Sequence, residues 1–184
     1  SKHYMLKVFA DYQDNHQDFD EQVSFSIERV GGIKLLRKYR KAQLVTEFIK
    51  KNKVEAVKAD HWKSLELIKT NKKKICLIHS KEINHEKRSN LNKRVLDVLN
   101  NVDNVIANSE FTKNLAIKCG VDESRIVVIN PGVNPVQELN KVSIDKVESL
   151  LKHKSPRLIT VSRYDKRKNH EKVVMALRNL KQIY

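Results

Sequence analysis

Only two cysteines, Cys76 and Cys119, occur among the 184 residues. They supply neither a disulfide framework nor a metal-ligand spacing, and a reducing compartment is the simplest setting for them. Cys76 lies inside an apolar run, which suits a small core residue better than a nucleophile. No apolar stretch approaches the ~20 residues that span a bilayer, and the first residues do not read as a signal peptide. Gly31-Gly32 lacks the strand, G-x-G-x-x-G, helix order of a dinucleotide loop. There is no serine nucleophile elbow. The seven histidines are scattered. His79 and His85 stand near Glu82 and Glu86, but no H-E-x-x-H helix pattern makes a metal site of them.

Acidic side chains are also scarce relative to basic ones, giving a formal charge of +15. Nucleic acid, an anionic membrane surface or a phosphorylated substrate would each account for that excess. Lysine outnumbers arginine 27 to 10 and aromatics make up only 6% of the chain. A nucleic-acid surface favours arginine with interleaved aromatics, so solvated lysine-rich faces are the simpler reading, with a membrane surface second. Asn71-Lys72-Lys73-Lys74 reads as a basic turn before a strand.

What is present is a strand–helix alternation. Strands are predicted at Met5–Ala10, Val23–Ile27, Val54–Val57, Ile75–His79, Val102–Ala107, Ile126–Ile129 and Leu158–Val161. Asp11–Gln22 is acidic and polar and reads as a long loop. Leu35, Leu36, Tyr39, Val45, Phe48 and Ile49 mark one apolar face of a helix over 34–50. Further helices are predicted at 62–69, with Asp60 as its cap, and at 91–99. Another runs from Ser109 to Gly120, and one capped by Ser143 runs to about Lys152. The last is capped by Asn169 and turns Val173, Val174, Leu177 and Leu180 to a core. The pattern predicts an α/β fold with parallel, Rossmann-like sheets. Prolines, a glycine and polar residues from Pro131 to Lys141 mark a boundary. Residues 1–137 read as a first domain lacking its first strand–helix unit, and 138–184 as the beginning of a second.

The chemistry concentrates in Leu158-Ile-Thr-Val-Ser162-Arg163-Tyr-Asp-Lys-Arg-Lys168-Asn169-His. A strand delivers Arg163, and Lys168 follows at a helix start. Two fixed cations beside a helix N-terminus suit a diphosphate. Upstream, His79 ends an apolar strand, and ligands bind at the carboxyl ends of parallel strands.

Taken with Asn104-Val-Ile-Ala-Asn-Ser109-Glu-Phe-Thr and Ile129-Asn-Pro-Gly-Val-Asn134, these segments resemble the retaining glycosyltransferases of family 4, which have the GT-B fold. The resemblance runs from about Ser26 to Tyr184. It implies transfer of a sugar from a UDP-, GDP- or ADP-sugar donor to a hydroxyl of a saccharide or lipid-linked acceptor. It also implies retention of configuration and no metal or other cofactor. Arg163 and Lys168 would hold the donor diphosphate, neutralising charge that develops on the leaving phosphate. Ser162 stands where the family usually has glycine and would donate a hydrogen bond there. His79 belongs to the catalytic set, as a polar contact to sugar or acceptor rather than a general base. Gly132 and Asn134 resemble the linker segment and shape a loop.

The expected enzyme is cytoplasmic from its cysteine usage and peripheral on the inner membrane face from its charge, in polysaccharide, lipopolysaccharide or glycolipid synthesis, without a nucleic-acid partner. The family's Glu-x7-Glu motif and its amino-terminal Gly-rich loop find no match, so residues 1–184 are not expected to catalyse transfer alone. A basic nucleic-acid-binding module using Lys72–Lys74 and Lys166–Lys168, and a non-catalytic relative, are the alternatives. The first predicts steeply salt-dependent binding to many oligonucleotides.

Overall fold

Among the described residues, the first eight of the fourteen main elements alternate strand and helix without a break. The structure, a computed structural model, describes residues 5–135, 138–152, 155 and 157–180. The order is β1 (Lys7–Asp11), α1 (Gln17–Gln22), β2 (Ser26–Val30), α2 (Lys34–Lys51), β3 (Ala56–Ala59), α3 (Trp62–Leu65), β4 (Lys73–Ile78) and α4 (Ser80–Ile83). There follow α5 (Asn90–Leu99), β5 (Asn104–Ala107), α6 (Glu110–Cys119), β6 (Ile126–Val128), α7 (Lys141–Leu151) and α8 (His170–Leu180). The chain divides into two units, residues 1–133 and 134–184.

In the first unit β1 and β2 form a two-stranded parallel sheet, and β3-β4-β5-β6 form a four-stranded parallel sheet in sequence order. Register aligns Ile75 with Asn104 and Ile78 with Ala107, then Ala107 with Val128. Parallel strands joined by helical crossovers are covered on both faces. Cys76, Ile78, Val105 and Ala107 are accordingly buried, together with Val95, Leu99 and Ala116 from the covering helices. Trp62 is wholly buried and its indole Nε1 donates to the Glu82 carbonyl at 3.2 Å, so its one polar atom is satisfied.

Helix ends follow local chemistry. Ser89 and Ser109 accept from the backbone N–H groups of Asn92 and Thr112, capping α5 and α6. Gly120 closes α6 with φ 107°, a left-handed conformation that glycine adopts without steric cost.

Several expectations are corrected. The stretch 11–22 is not all loop: α1 occupies its second half, where Arg29 pairs with Asp20. β2 lies nearer the glycines than Val23–Ile27, running up to Val30 before Gly31-Gly32 turns the chain. The cap of α3 is His61, not Asp60: the His61 ring Nδ1 accepts from Lys63 N at 3.1 Å. That helix also stops at Leu65 rather than 69. Asn140, not Ser143, caps α7, and its side chain accepts from Ser143 N. The predicted face of α2 is only half used. Val45 is buried and Phe48 meets Phe9 edge-on at 5.7 Å, whereas Leu35, Leu36 and Tyr39 are exposed.

The second unit differs most. Leu158–Val161 is exposed and forms no strand. A β-strand requires a ladder partner for its N–H and C=O groups, and none of the described residues of this unit forms one. Val173, Val174, Leu177 and Leu180 of α8 are exposed as well.

Candidate functional site

Because β3 to β6 are all parallel, their carboxyl ends share one edge of the sheet. His79 and Asn108 directly follow β4 and β5, and His61 and Asn130 stand two positions past the ends of β3 and β6. His79 leaves β4 in an extended conformation and stands exposed at the start of α4. Its ring Nδ1 lies 3.0 Å from Asn108 Nδ2, at the end of β5. The Asn108 main chain is in turn reached from β6: Asn130 Nδ2 donates to the Asn108 carbonyl at 3.4 Å. Three strand ends are thus laced together by side chains.

Asn108 is oriented from behind. The Thr112 hydroxyl donates to Asn108 Oδ1 at 2.7 Å, and the Ser109 hydroxyl donates to Thr112 Oγ1 at 3.1 Å. Thr112 is buried, so its hydroxyl has no access to water and takes its partners from this chain of bonds.

A second group lies at the same edge. Glu82 of α4 places Oε2 4.0 Å from His61 Nε2. That oxygen is buried and has no hydrogen-bond partner among the described residues. The Cys76 thiol is pushed up to about 12, first by burial and then by the Glu82 and Asp60 carboxylates. A thiol so placed stays protonated and inert at neutral pH. Among the described residues, no group of three histidine, cysteine or acidic side chains is placed to hold a metal ion.

In the second unit Lys166–Lys168 forms one 3-10 turn, and Asp165 caps it by accepting from Arg167 N. Asn169 follows with φ 57°, and its carbonyl accepts from Lys172 N at 3.0 Å and Val173 N at 3.4 Å at the start of α8. Asp165 also holds the Arg167 guanidinium, with Nε–Oδ1 3.2 Å and Nη2–Oδ2 2.9 Å. Arg163 has no ion-pair partner among the described residues. Ser162 Oγ lies 3.0 Å from His170 Nε2, and His170 stacks on Tyr164 with ring centroids 5.6 Å apart. The same His170 nitrogen is 3.2 Å from the Arg163 carbonyl. The hydroxyl expected at a phosphate is therefore engaged with the helix start, while Arg163 and Lys168 extend into solvent.

Residues 7–137 match the family model of Glycosyltransferase Family 4. The chain belongs to glycosyltransferase family 4. No curated protein matches its sequence. Among solved structures it is similar to HepE of Anabaena. The complex of HepE with UDP and glucose gives a TM-score of 0.61 at 14% identity, covering 81% of this chain and 50% of that one. The complexes with UDP and with UDP-glucose each give 0.57 at 14% identity, covering 80% and 79% of this chain. The chain spans about half the length of these structures. The likeness establishes a Rossmann-like α/β fold with parallel sheets, as the strand–helix alternation predicts.

Of the sequence-predicted residues, His79 is at the shared strand edge of this family 4 domain. Arg163, Lys168 and Ser162 lie in the second unit. Asn108 was legible only as part of a strand-end segment, and its bond to His79 was not. The available signal was Thr112 four residues on, a spacing that brings hydroxyl and amide together on the first turn of α6.

Proposed function

We propose that this family 4 chain belongs to a glycosyltransferase that moves a sugar from a nucleotide-sugar donor to an acceptor hydroxyl with retention. The observation that carries the reading is the family match over 7–137, joined to a polar strand-end edge centred on His79. The complexes of HepE with UDP and UDP-glucose favour a uridine donor class here.

In this reading the bond from the anomeric carbon to the phosphate oxygen breaks, and its electron pair stays on the diphosphate. The acceptor oxygen bonds that carbon, and its proton passes to the departing phosphate oxygen. Arg163 offers a planar fork and Lys168 a point charge to the leaving diphosphate, in place of a metal. His79 donates a hydrogen bond to a sugar or acceptor oxygen.

Calorimetric titration of the full-length gene product with UDP, GDP and ADP tests this. Selective binding to one of them, lost in Arg163→Ala, supports the donor site. Equal, salt-sensitive binding to every polyanion overturns it in favour of a general polyanion surface.

An anionic membrane surface is the partner best matched to the first turns of α2. Leu35, Leu36 and Tyr39 are exposed there beside Lys34 and Lys38. Arg37 and Lys41 are instead turned to Asp11, at 4.0 and 2.6 Å. Binding to vesicles that rises with anionic lipid and falls in Leu35→Ser supports that partner, and binding unchanged by the substitution removes it. Among the described residues, no helix is long and apolar enough to cross a membrane.

A further inference from the structure

We infer that Asn108 is a positioning residue that holds His79 as the tautomer protonated on Nε2, presenting that N–H at the carboxyl edge of the sheet. This rests on the proposed role of His79 in sugar transfer, and it adds the group that makes that role work.

The argument follows the hydrogens. The Ser109 hydroxyl oxygen already accepts from Thr112 N at 3.2 Å, so its own hydrogen is free to donate to Thr112 Oγ1 at 3.1 Å. Thr112 Oγ1 then has one hydrogen to place, and Asn108 stands 2.7 Å away. Only the amide oxygen accepts a hydrogen, so Oδ1 faces Thr112 and Nδ2 faces His79. In this orientation Oδ1 accepts from Thr112 at 2.7 Å and faces the Ser109 hydroxyl at 3.4 Å, whereas the reverse turns the amide N–H groups on both hydroxyls and sends the Thr112 hydrogen back to Ser109 Oγ, which already accepts from Thr112 N. An amide nitrogen donates and does not accept, so His79 Nδ1, 3.0 Å away, presents its lone pair. A neutral imidazole with Nδ1 unprotonated carries its hydrogen on Nε2.

The relay therefore converts a helix cap into a functional setting. The serine that caps α6 starts a line of donors, serine to threonine to asparagine to histidine, that ends at an exposed ring. Asn130 secures the same asparagine through its main-chain carbonyl, so the relay is tied to β6 as well as β5. A histidine with its tautomer set in advance loses no free energy in selecting it when ligand arrives.

Long-range proton–nitrogen spectra of protein labelled with 15N-histidine report which His79 nitrogen is protonated, at a pH where the ring is neutral. Wild type is expected to show Nε2–H. Asn108→Asp offers only acceptor oxygens and is expected to move the proton to Nδ1. Thr112→Ser keeps the wild-type tautomer, and Thr112→Val, similar in shape but without the hydroxyl, gives a mixture. A wild-type ring protonated on Nδ1, or a tautomer indifferent to Asn108→Asp, overturns the inference.

Transfer kinetics in the full-length gene product separate the two levels. Asn108→Asp is expected to lower kcat/KM roughly tenfold, as His79→Ala does, with no further loss in the double variant. A tautomer that inverts while kcat/KM stays unchanged, with His79→Ala impaired, removes the positioning role of Asn108. Unchanged transfer in His79→Ala removes His79 from the reaction, and the positioning role with it. The spectra still report the hydrogen bond in that case, so failure of the transferase reading is recognisable as such.

Discussion

Asp165 grips Arg167 through both carboxylate oxygens and caps the turn on which Arg167 sits, so the middle cation of Lys166-Arg167-Lys168 is committed within the loop. Arg163 has no such partner among the described residues. A run that reads in sequence as undifferentiated positive charge thus sorts into an arginine engaged within the loop and cations that stand exposed.

The first prediction concerns that pair. The Arg167 side chain, and next its backbone N–H, hold the Asp165 carboxyl down to about 2. A depressed folded-state value means the contact is complete above the ordinary aspartate value of ~3.9 and is lost as pH falls through about 2. Carbon-13 titration of the Asp165 carboxyl should show a midpoint near 2 in wild type and a higher one in Arg167→Gln, still below the ordinary value because the backbone N–H bond remains. An ordinary midpoint in wild type refutes the assignment.

Arg163→Ala should weaken nucleoside diphosphate binding by about tenfold to a hundredfold, the loss expected for a charge-assisted contact. Arg167→Ala should change it much less, because that guanidinium is already engaged by Asp165. Calorimetry on both variants checks the ranking, and an equal loss in the two would show that only bulk charge matters.

Trp62 is the test of the first unit's core. Its indole is fully buried under α5 and bonded to the Glu82 carbonyl, and the Arg94 guanidinium lies 5.4 Å from its ring. Trp62→Ala should cost ~3–5 kcal/mol. Trp62→Phe leaves the Glu82 carbonyl without its donor and should cost about 1 kcal/mol from that bond, with some loss of packing in addition. Urea unfolding of the two variants measures both values.

The two thiols should differ in reactivity. Cys76 is buried and its thiol is pushed up to about 12, while Cys119 is only partly covered and is raised less, again mainly by burial. A thiol reagent at neutral pH should label Cys119 first and reach Cys76 only on unfolding. Early labelling of Cys76 would show that the sheet opens locally.

Much of the first unit was legible because its signals are local. Ile75–Ile78 is a run of apolar residues too short for a helix, and a strand buried on both faces needs that composition. Ser109 and Gly120 announce the ends of α6 by capping chemistry that depends on the next few residues alone. The errors fall where a competing neighbour decides. His61 displaced Asp60 as a cap because its ring nitrogen reaches Lys63 N. Leu35, Leu36 and Tyr39 share the α2 face with Val45, yet only the later turns meet β1 and the core. Leu158–Val161 has strand composition, but composition does not provide a ladder partner.

From residue order alone came the alternation that makes a parallel α/β sheet, the strand-end position of His79 and the clustering of cations around Arg163. These follow from periodicity and from covalent spacing, which tertiary contacts do not alter. Tertiary structure decided which of those polar groups face one another. The bond between His79 and Asn108 joins residues 29 apart in sequence. It exists because β4 and β5 pair in a register that ends both strands at the same edge. The direction of that bond was decided further away still, by a buried Thr112 hydroxyl whose hydrogen must be satisfied.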